Sequence, residues 1–168
     1  MLAWLAQAAR LDLPDWYLAA GCIRNQLWDH WHGYTTPSGE QDIDLIYHDP
    51  QASPEQDQVL SKTLSTQTGN QWEVVNQAYV HRWYRDQHGQ PIAAHNSCIE
   101  AMASWPETAT CIGLRFDLHG WAVASPLGLD DLFGMIWRRN PGFSDLATYQ
   151  HRQITKQVAR RWPKVRII

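Results

Sequence analysis

Asp42-Ile43-Asp44-Leu45-Ile46-Tyr47-His48-Asp49-Pro50, the run DIDLIYHDP, decides how this chain is read. Polar and apolar residues alternate from Asp42 to Leu45 with the period of a strand, and Pro50 stops the run. In a strand, side chains at i and i+2 share a face, so Asp42 and Asp44 point one way while Ile43 and Leu45 anchor the other. Two carboxylates this close repel unless a cation lies between them. Mg²⁺ is the natural occupant, with Mn²⁺ as a substitute, because it takes carboxylate oxygens and keeps positions open for water and substrate phosphates. Such ions neutralise phosphate oxygens and activate an attacking hydroxyl in phosphoryl and nucleotidyl transfer. A bare D-x-D also occurs on solvated strand edges, so its neighbours in the chain must carry the reading.

Upstream, Trp16 to Ala20 is a short apolar run ending at Gly21, and Ile23, Leu27 and Trp31 then recur at helical spacing. A strand, a glycine turn and a helix follow in that order. The first backbone N–H groups of such a helix lack partners and favour an anion, which places a phosphate at Gly21 and Cys22 with Arg24 and Asn25 in the first turn. The structural alternative has Asn25 bonding nearby backbone and Arg24 exposed to solvent.

Between the two segments, GYTTPSGE (33–40) is rich in turn formers. Downstream, Ser53, Pro54 and Gln56 read as the start of a helix that runs to about Ser65 and ends at Gly69 and Asn70. A third strand lies in QWEVVNQ, where Glu73 points opposite to Trp72 and Val74. Ser97 and Glu100 cap a helix stopped by Pro106, and TCIGLRFDLHGWAVAS forms a hairpin turning at His119 and Gly120. Helical patterns fill GLDDLFGMIWRRN and the stretch from Ser144 to about Trp162, with Asp130 and Asp131 as helix N-terminal charges. The expected architecture is α/β in one domain over 1–168: a mixed central sheet flanked by helices, with a helical C-terminal portion from about residue 127.

A hydrophobic fraction of 44%, 18% charged residues and the absence of any long apolar run suit a globular chain without a membrane span. The first sixteen residues carry no basic leader and no small-residue cleavage site, so they read as an amphipathic helix. Cys22, Cys98 and Cys111 lack metal-ligand spacing and sit among apolar neighbours, which points to buried thiols and a reducing cytoplasm. A formal charge of −3 argues against a protein that coats nucleic acid through a broad positive surface, while leaving room for a local basic groove. Eight histidines include His30-x-His32, but residues two apart on a helix splay, so no zinc site is expected. The ten tryptophans read as core and rim fillers.

Taken in order, AAGCIRN, DIDLIYHD, WEVVNQA, WPETATCIGLR, GLDDLF and RNP resemble a bacterial branch of the polymerase-β-like nucleotidyltransferases over nearly the whole chain. That superfamily sets a G-[GS] turn before the D-x-D strand and takes a third carboxylate from a neighbouring strand. The resemblance therefore implies Gly21 at the phosphate turn and Asp42, Asp44 and Glu73 as catalytic, metal-holding carboxylates. The structural alternative for Glu73 is a solvent-facing side chain, and Asp117, the competitor for the third carboxylate, reads more simply as a turn cap at its strand end. Two features depart from the pattern: Cys22 stands where Ser or Gly is usual, and the stretch before Asp42 is longer. Arg152, Lys156 and Arg160 fall at successive i, i+4 spacing on a late helix. In the resembling family a helical C-terminal part closes over the nucleotide, which implies contacts from Arg152 and Lys156 to the β- and γ-phosphates. The activity so implied is Mg²⁺-dependent transfer of NMP from an NTP to a hydroxyl, with a small molecule, a protein side chain and an RNA end all open as acceptor. The rival reading keeps the fold as an inactive binding or regulatory module.

Overall fold

The computed structural model describes residues 1–39, 42–118 and 120–168. The apolar run before Gly21 becomes the middle of a five-stranded sheet. β1 (Tyr17–Ala19) pairs antiparallel with β2 (Ile43–Tyr47) on one side and with β4 (Gly113–Asp117) on the other. β3 (Trp72–Asn76) runs parallel to β2, and β5 (Gly120–Ala124) antiparallel to β4, giving the order β3-β2-β1-β4-β5. All three β1 residues are buried, as a central strand covered on both faces requires.

α1 (Leu2–Ala9) and α2 (Gly21–Trp31) flank β1 in the chain, and α3 (Gln56–Thr68) makes the crossover that a parallel β2–β3 pair needs. α3 also closes the β3 edge. Its row Asp57, Ser61 and Ser65 accepts the backbone N–H groups of Asn76, Val74 and Trp72 at 2.9, 2.9 and 3.0 Å. Spacing of four residues on a helix thus meets spacing of two on a strand, and the edge offers no free ladder there. The helix starts at Gln56 without a side-chain cap, so Ser53 is not the cap expected; Asp57, which also accepts the Tyr47 hydroxyl at 2.7 Å, fastens that end instead. Gly69, in the left-handed region at φ 67°, ends it as expected.

α4 (Val80–Trp83) was not legible in the sequence, whereas α5 (Cys98–Ala103) begins at Ser97, whose side chain accepts from the Glu100 N–H. The hairpin β4–β5 forms, with its turn residue His119 lying outside the described residues. Glu40, at the end of the expected turn before β2, also lies outside them.

The C-terminal part is less helical than expected. α6 (Asp130–Phe133) lasts four residues, because the chain turns at Gly134 and Met135, the latter at φ 51°, into β6 (Ile136–Trp137). β6 pairs parallel with β7 (Arg166–Ile167). The expected helix from Ser144 divides into α7 (Leu146–Thr155) and α8 (Val158–Arg161), broken at Gln157, which adopts φ 50°. Trp28 of α2, Trp137 of β6 and Trp162 after α8 are fully buried and meet edge to face or tilted, so these rings join the C-terminal part to the sheet layer. Among the described residues no helix is long and apolar enough to cross a membrane.

Candidate active site

β1 delivers the chain to the carboxylates by a strained turn. Ala19 pairs with Asp44, and the next residue, Ala20, takes φ 56° and ψ −125°, a backbone region that glycine adopts more cheaply. Holding alanine there costs about 1–3 kcal/mol. The turn swings Gly21 against Asp44: a Cβ on Gly21 would lie 3.7 Å from Asp44 Oδ2 and 3.9 Å from Asn25 Nδ2. The N–H groups of Ile23 and Arg24 both bond the Ala20 carbonyl, each at 3.2 Å, which leaves the amides of Gly21 and Cys22 as free donors at the start of α2 among the described residues.

The same register brings a third carboxylate alongside. Glu73 on β3 pairs with Asp44 on β2, and Asp42 immediately precedes that strand. Burial first, then the charges of Glu73 and Asp42, push the Asp44 carboxyl up to about 7, while Lys156 and Arg24 pull it back. Asp117 ends β4, beyond β1 from Asp44, and lies 3.3 Å from Arg115 Nε.

Arg24 is neither exposed nor presented at the surface for a phosphate, so that expectation is corrected. It is 2% exposed, with its guanidinium carbon 4.9–5.4 Å from the ring centres of Trp28, Trp137 and Trp162. Burial draws its pKa down to about 10, against the pull of Glu107. Three aromatic faces hold the cation in place of water. Its Nε and Nη2 donate to Asn25 Oδ1 at 3.2 and 2.8 Å, which fixes the Asn25 amide with Nδ2 toward the Gly21 mouth. Cys22 is wholly buried, its thiol donates to the Ala19 carbonyl at 3.0 Å, and burial pushes it up to about 12. Only its backbone faces the mouth as a donor, so the departure from Ser or Gly at this position matters little to an anion.

Arg152 and Lys156 end α7, Arg152 in the last turn and Lys156 as its C-cap, so both also complement the helix dipole. The break at Gln157 takes Arg160 off their stripe, and Arg160 instead bonds Gln157 Oε1 at 3.1 Å. Both remaining cations act on the carboxylate strand: Lys156 lowers Asp44, and Asp44 helps to raise Arg152. The sequence reading missed what holds Arg152. Glu107, 0% exposed, takes Arg152 Nε and Nη2 on its two oxygens at 2.5 and 3.0 Å and accepts Thr110 Oγ1 at 3.1 Å. Burial opposes the charge on Arg152, but these bonds and the Glu107 charge raise it above the ordinary value. The other guanidinium nitrogen, Nη1, has no partner among the described residues.

An all-oxygen donor set with excess negative charge around Asp44 suits a hard divalent cation. Among the described residues no three His, Cys, Asp or Glu side chains close into a ready cage for a metal. Mg²⁺ fits this arrangement because it binds through one or two carboxylates and completes its shell with water and substrate phosphates.

Three comparisons bear on the arrangement. The family model described as Nucleotidyltransferase matches residues 6–167. An NMR structure described as revealing a CCA-adding enzyme head domain is 31% identical with a TM-score of 0.85, over 99% of this chain and 88% of that one. The apo form of a tRNA-processing enzyme shares the fold at 14% identity and a TM-score of 0.56, over 98% of this chain and 44% of that one. The CCA-adding enzyme of Bacillus stearothermophilus in complex with CTP does so at 17% identity and 0.53, over 89% of this chain and 36% of that one. This chain thus spans less than half of the last two. No curated protein matches it.

Proposed function

The chain belongs to the nucleotidyltransferase family, and from that premise we propose that it moves a nucleoside monophosphate from an NTP onto a hydroxyl acceptor with Mg²⁺ at Asp42 and Asp44. The observation that carries this reading is the juxtaposition of Gly21, with its free helix amides, and the Asp44 carboxylate across the β1–β2 pair. The amides suit phosphate oxygens, and Asp44 with Asp42 would hold the cation that neutralises them. When bound, the cation supplies charge neutralisation on the phosphate and lowers the pKa of the attacking hydroxyl.

The chain's own groups take the following parts. The Gly21 and Cys22 amides and the Asn25 Nδ2 donate to the triphosphate, while Lys156 and the free edge of Arg152 meet its β- and γ-phosphates. Glu73, exposed beside Asp44, receives the proton of the acceptor hydroxyl. The hydroxyl oxygen bonds to the α-phosphorus, the bond from that phosphorus to the α–β bridging oxygen breaks, and pyrophosphate leaves. Arg24 is a positioning residue, acting through Asn25. Three free, buried thiols suit a reducing cytoplasm as the place of work.

Calorimetric titration of each non-hydrolysable NTP with and without MgCl₂ tests the reading. Binding that needs Mg²⁺ and is lost in Asp44→Asn supports it. Binding indifferent to the metal, or unaltered in Asp44→Asn, would leave a nucleotide-binding fold without this chemistry.

A further inference from the structure

The structure has a second concavity, of about 560 Å³, between the loop at residues 33–38 and the break that separates α7 from α8. That volume lies within the range of about 300–1,000 Å³ seen for small-molecule sites. In the sequence the turn formers of GYTTPSGE lie more than a hundred residues from Arg160 and Arg161. Folding brings them together.

Among the described residues the lining holds no carboxylate: Thr35, Thr36 and Ser38 line it together with Arg160 and Arg161. The acidic neighbour of Arg161, Asp29, does not offset them, because it is 6% exposed and already engaged. One of its oxygens accepts the Ser38 N–H at 3.0 Å and the other accepts Trp162 Nε1 at 2.6 Å. Arg161 lies 4.2 Å over the Trp162 ring and donates from Nε to Ser38 Oγ at 3.1 Å, leaving its buried Nη2 without a partner among the described residues. The Tyr34 hydroxyl bonds the Arg161 carbonyl at 2.7 Å, so loop and helix are pinned to one another. A concavity lined by two cations and three hydroxyl side chains has the chemistry of an anion receptor.

Its position ties it to the carboxylates. Gln157 in its wall follows Lys156, whose charge acts on Asp44, and Ser38 in the opposite wall stands four residues before Asp42. The donor triphosphate has the Gly21 mouth, Arg152 and Lys156, so a second cationic pocket, between the loop that leads toward β2 and the α7–α8 break, is available to a second anion. We propose that this pocket binds a phosphate group of the acceptor, and that the acceptor is a phosphorylated molecule of nucleotide size whose hydroxyl is thereby delivered to Asp42 and Asp44. The inference rests on the reading that the Gly21 mouth takes the NTP.

The test is an NMR titration with inorganic phosphate, run alone and with a saturating Mg²⁺-bound non-hydrolysable ATP analogue. Saturable shifts of the amides at 33–38, kept in the presence of the analogue and weakened about tenfold in Arg160→Gln, are expected, the loss of one charge-assisted hydrogen bond. Among the described residues the exposed Arg160 side chain bonds Gln157 alone, so this variant is expected to fold as the parent does. Displacement of phosphate by the analogue would assign the pocket to the donor and overturn the proposal. So would absence of saturable shifts at 33–38, or equal affinity in Arg160→Gln. Shifts of Gly21 and Cys22 with the analogue alone report separately on the NTP site, so failure of one reading is distinguishable from failure of the other.

Discussion

Asp44 is held where ionisation is opposed by burial and by Glu73 and Asp42, and this has a consequence for stability as well as for metal binding. Its folded pKa of about 7 stands above the ordinary 3.8, so the stability linked to its protonated form is complete below pH 3.8 and is lost as pH rises toward and through 7. In metal-free protein, Asp44→Asn is expected to raise the melting temperature by an amount that grows above pH 3.8 and levels off past pH 7. MgCl₂ should stabilise the parent and leave the variant unmoved. Differential scanning fluorimetry across pH, with and without the metal, checks both, and a pH-independent gain would show that Asp44 is not an uncompensated charge. Gly21 lies at the same mouth but needs no unusual φ, since a Cβ would meet Asp44 Oδ2 only at 3.7 Å. Gly21→Ala should therefore be tolerated. Gly21→Val projects methyls between Asp44 and Asn25, and the expected result is loss of NTP binding with little change in melting temperature. Tight binding by the valine variant would move the phosphates elsewhere.

At the scale of elements, the site depends on how α7 is tied to the segment before β4. Glu107 and Arg152 form that tie as a two-bond pair with the carboxylate wholly buried. Breaking a buried pair from one side costs about 3–5 kcal/mol because the remaining charge stays in low dielectric. Glu107→Gln keeps the shape and one acceptor, so the expected loss is smaller, about 1–3 kcal/mol. The variant should melt earlier by circular dichroism and, at temperatures where it is folded, bind NTP more weakly than NMP relative to the parent. Equal weakening of both nucleotides would show that Arg152 does not meet the distal phosphates. Other elements are joined by the same logic of fitted periods. The i, i+4 row of α3 satisfies alternate β3 amides, and the αL residue Gln157 stops α7 so that α8 can turn its arginines toward the loop at 33–38.

At the scale of the whole molecule, all three thiols lie inside. Burial pushes Cys22 and Cys111 up to about 12 and Cys98 upward as well. At pH 8 they should react with a thiol reagent such as DTNB only as fast as the protein opens, with the full three equivalents released in denaturant. A fast-reacting equivalent in native protein would expose one of these layers as loosely packed. The features legible in advance were those written in a few consecutive residues. The D-x-D alternation, the glycine after an apolar strand, the Ser97 cap and the β4–β5 hairpin depend on dihedral preference and local period, and a short window of sequence contains both. So the sequence by itself determined the strand that bears Asp44 with Asp42 just before it, the helix that opens at Gly21, and the family resemblance built on them. Tertiary structure alone decided that Arg24 is a cation inside three tryptophans, that Arg152 answers to Glu107, that the last helix breaks at Gln157 and that Arg160 and Arg161 face the 33–38 loop. The physical reason is that a buried charge takes its partners from whatever the packed chain brings near it, and those partners lie on segments distant in sequence, beyond the reach of any local pattern.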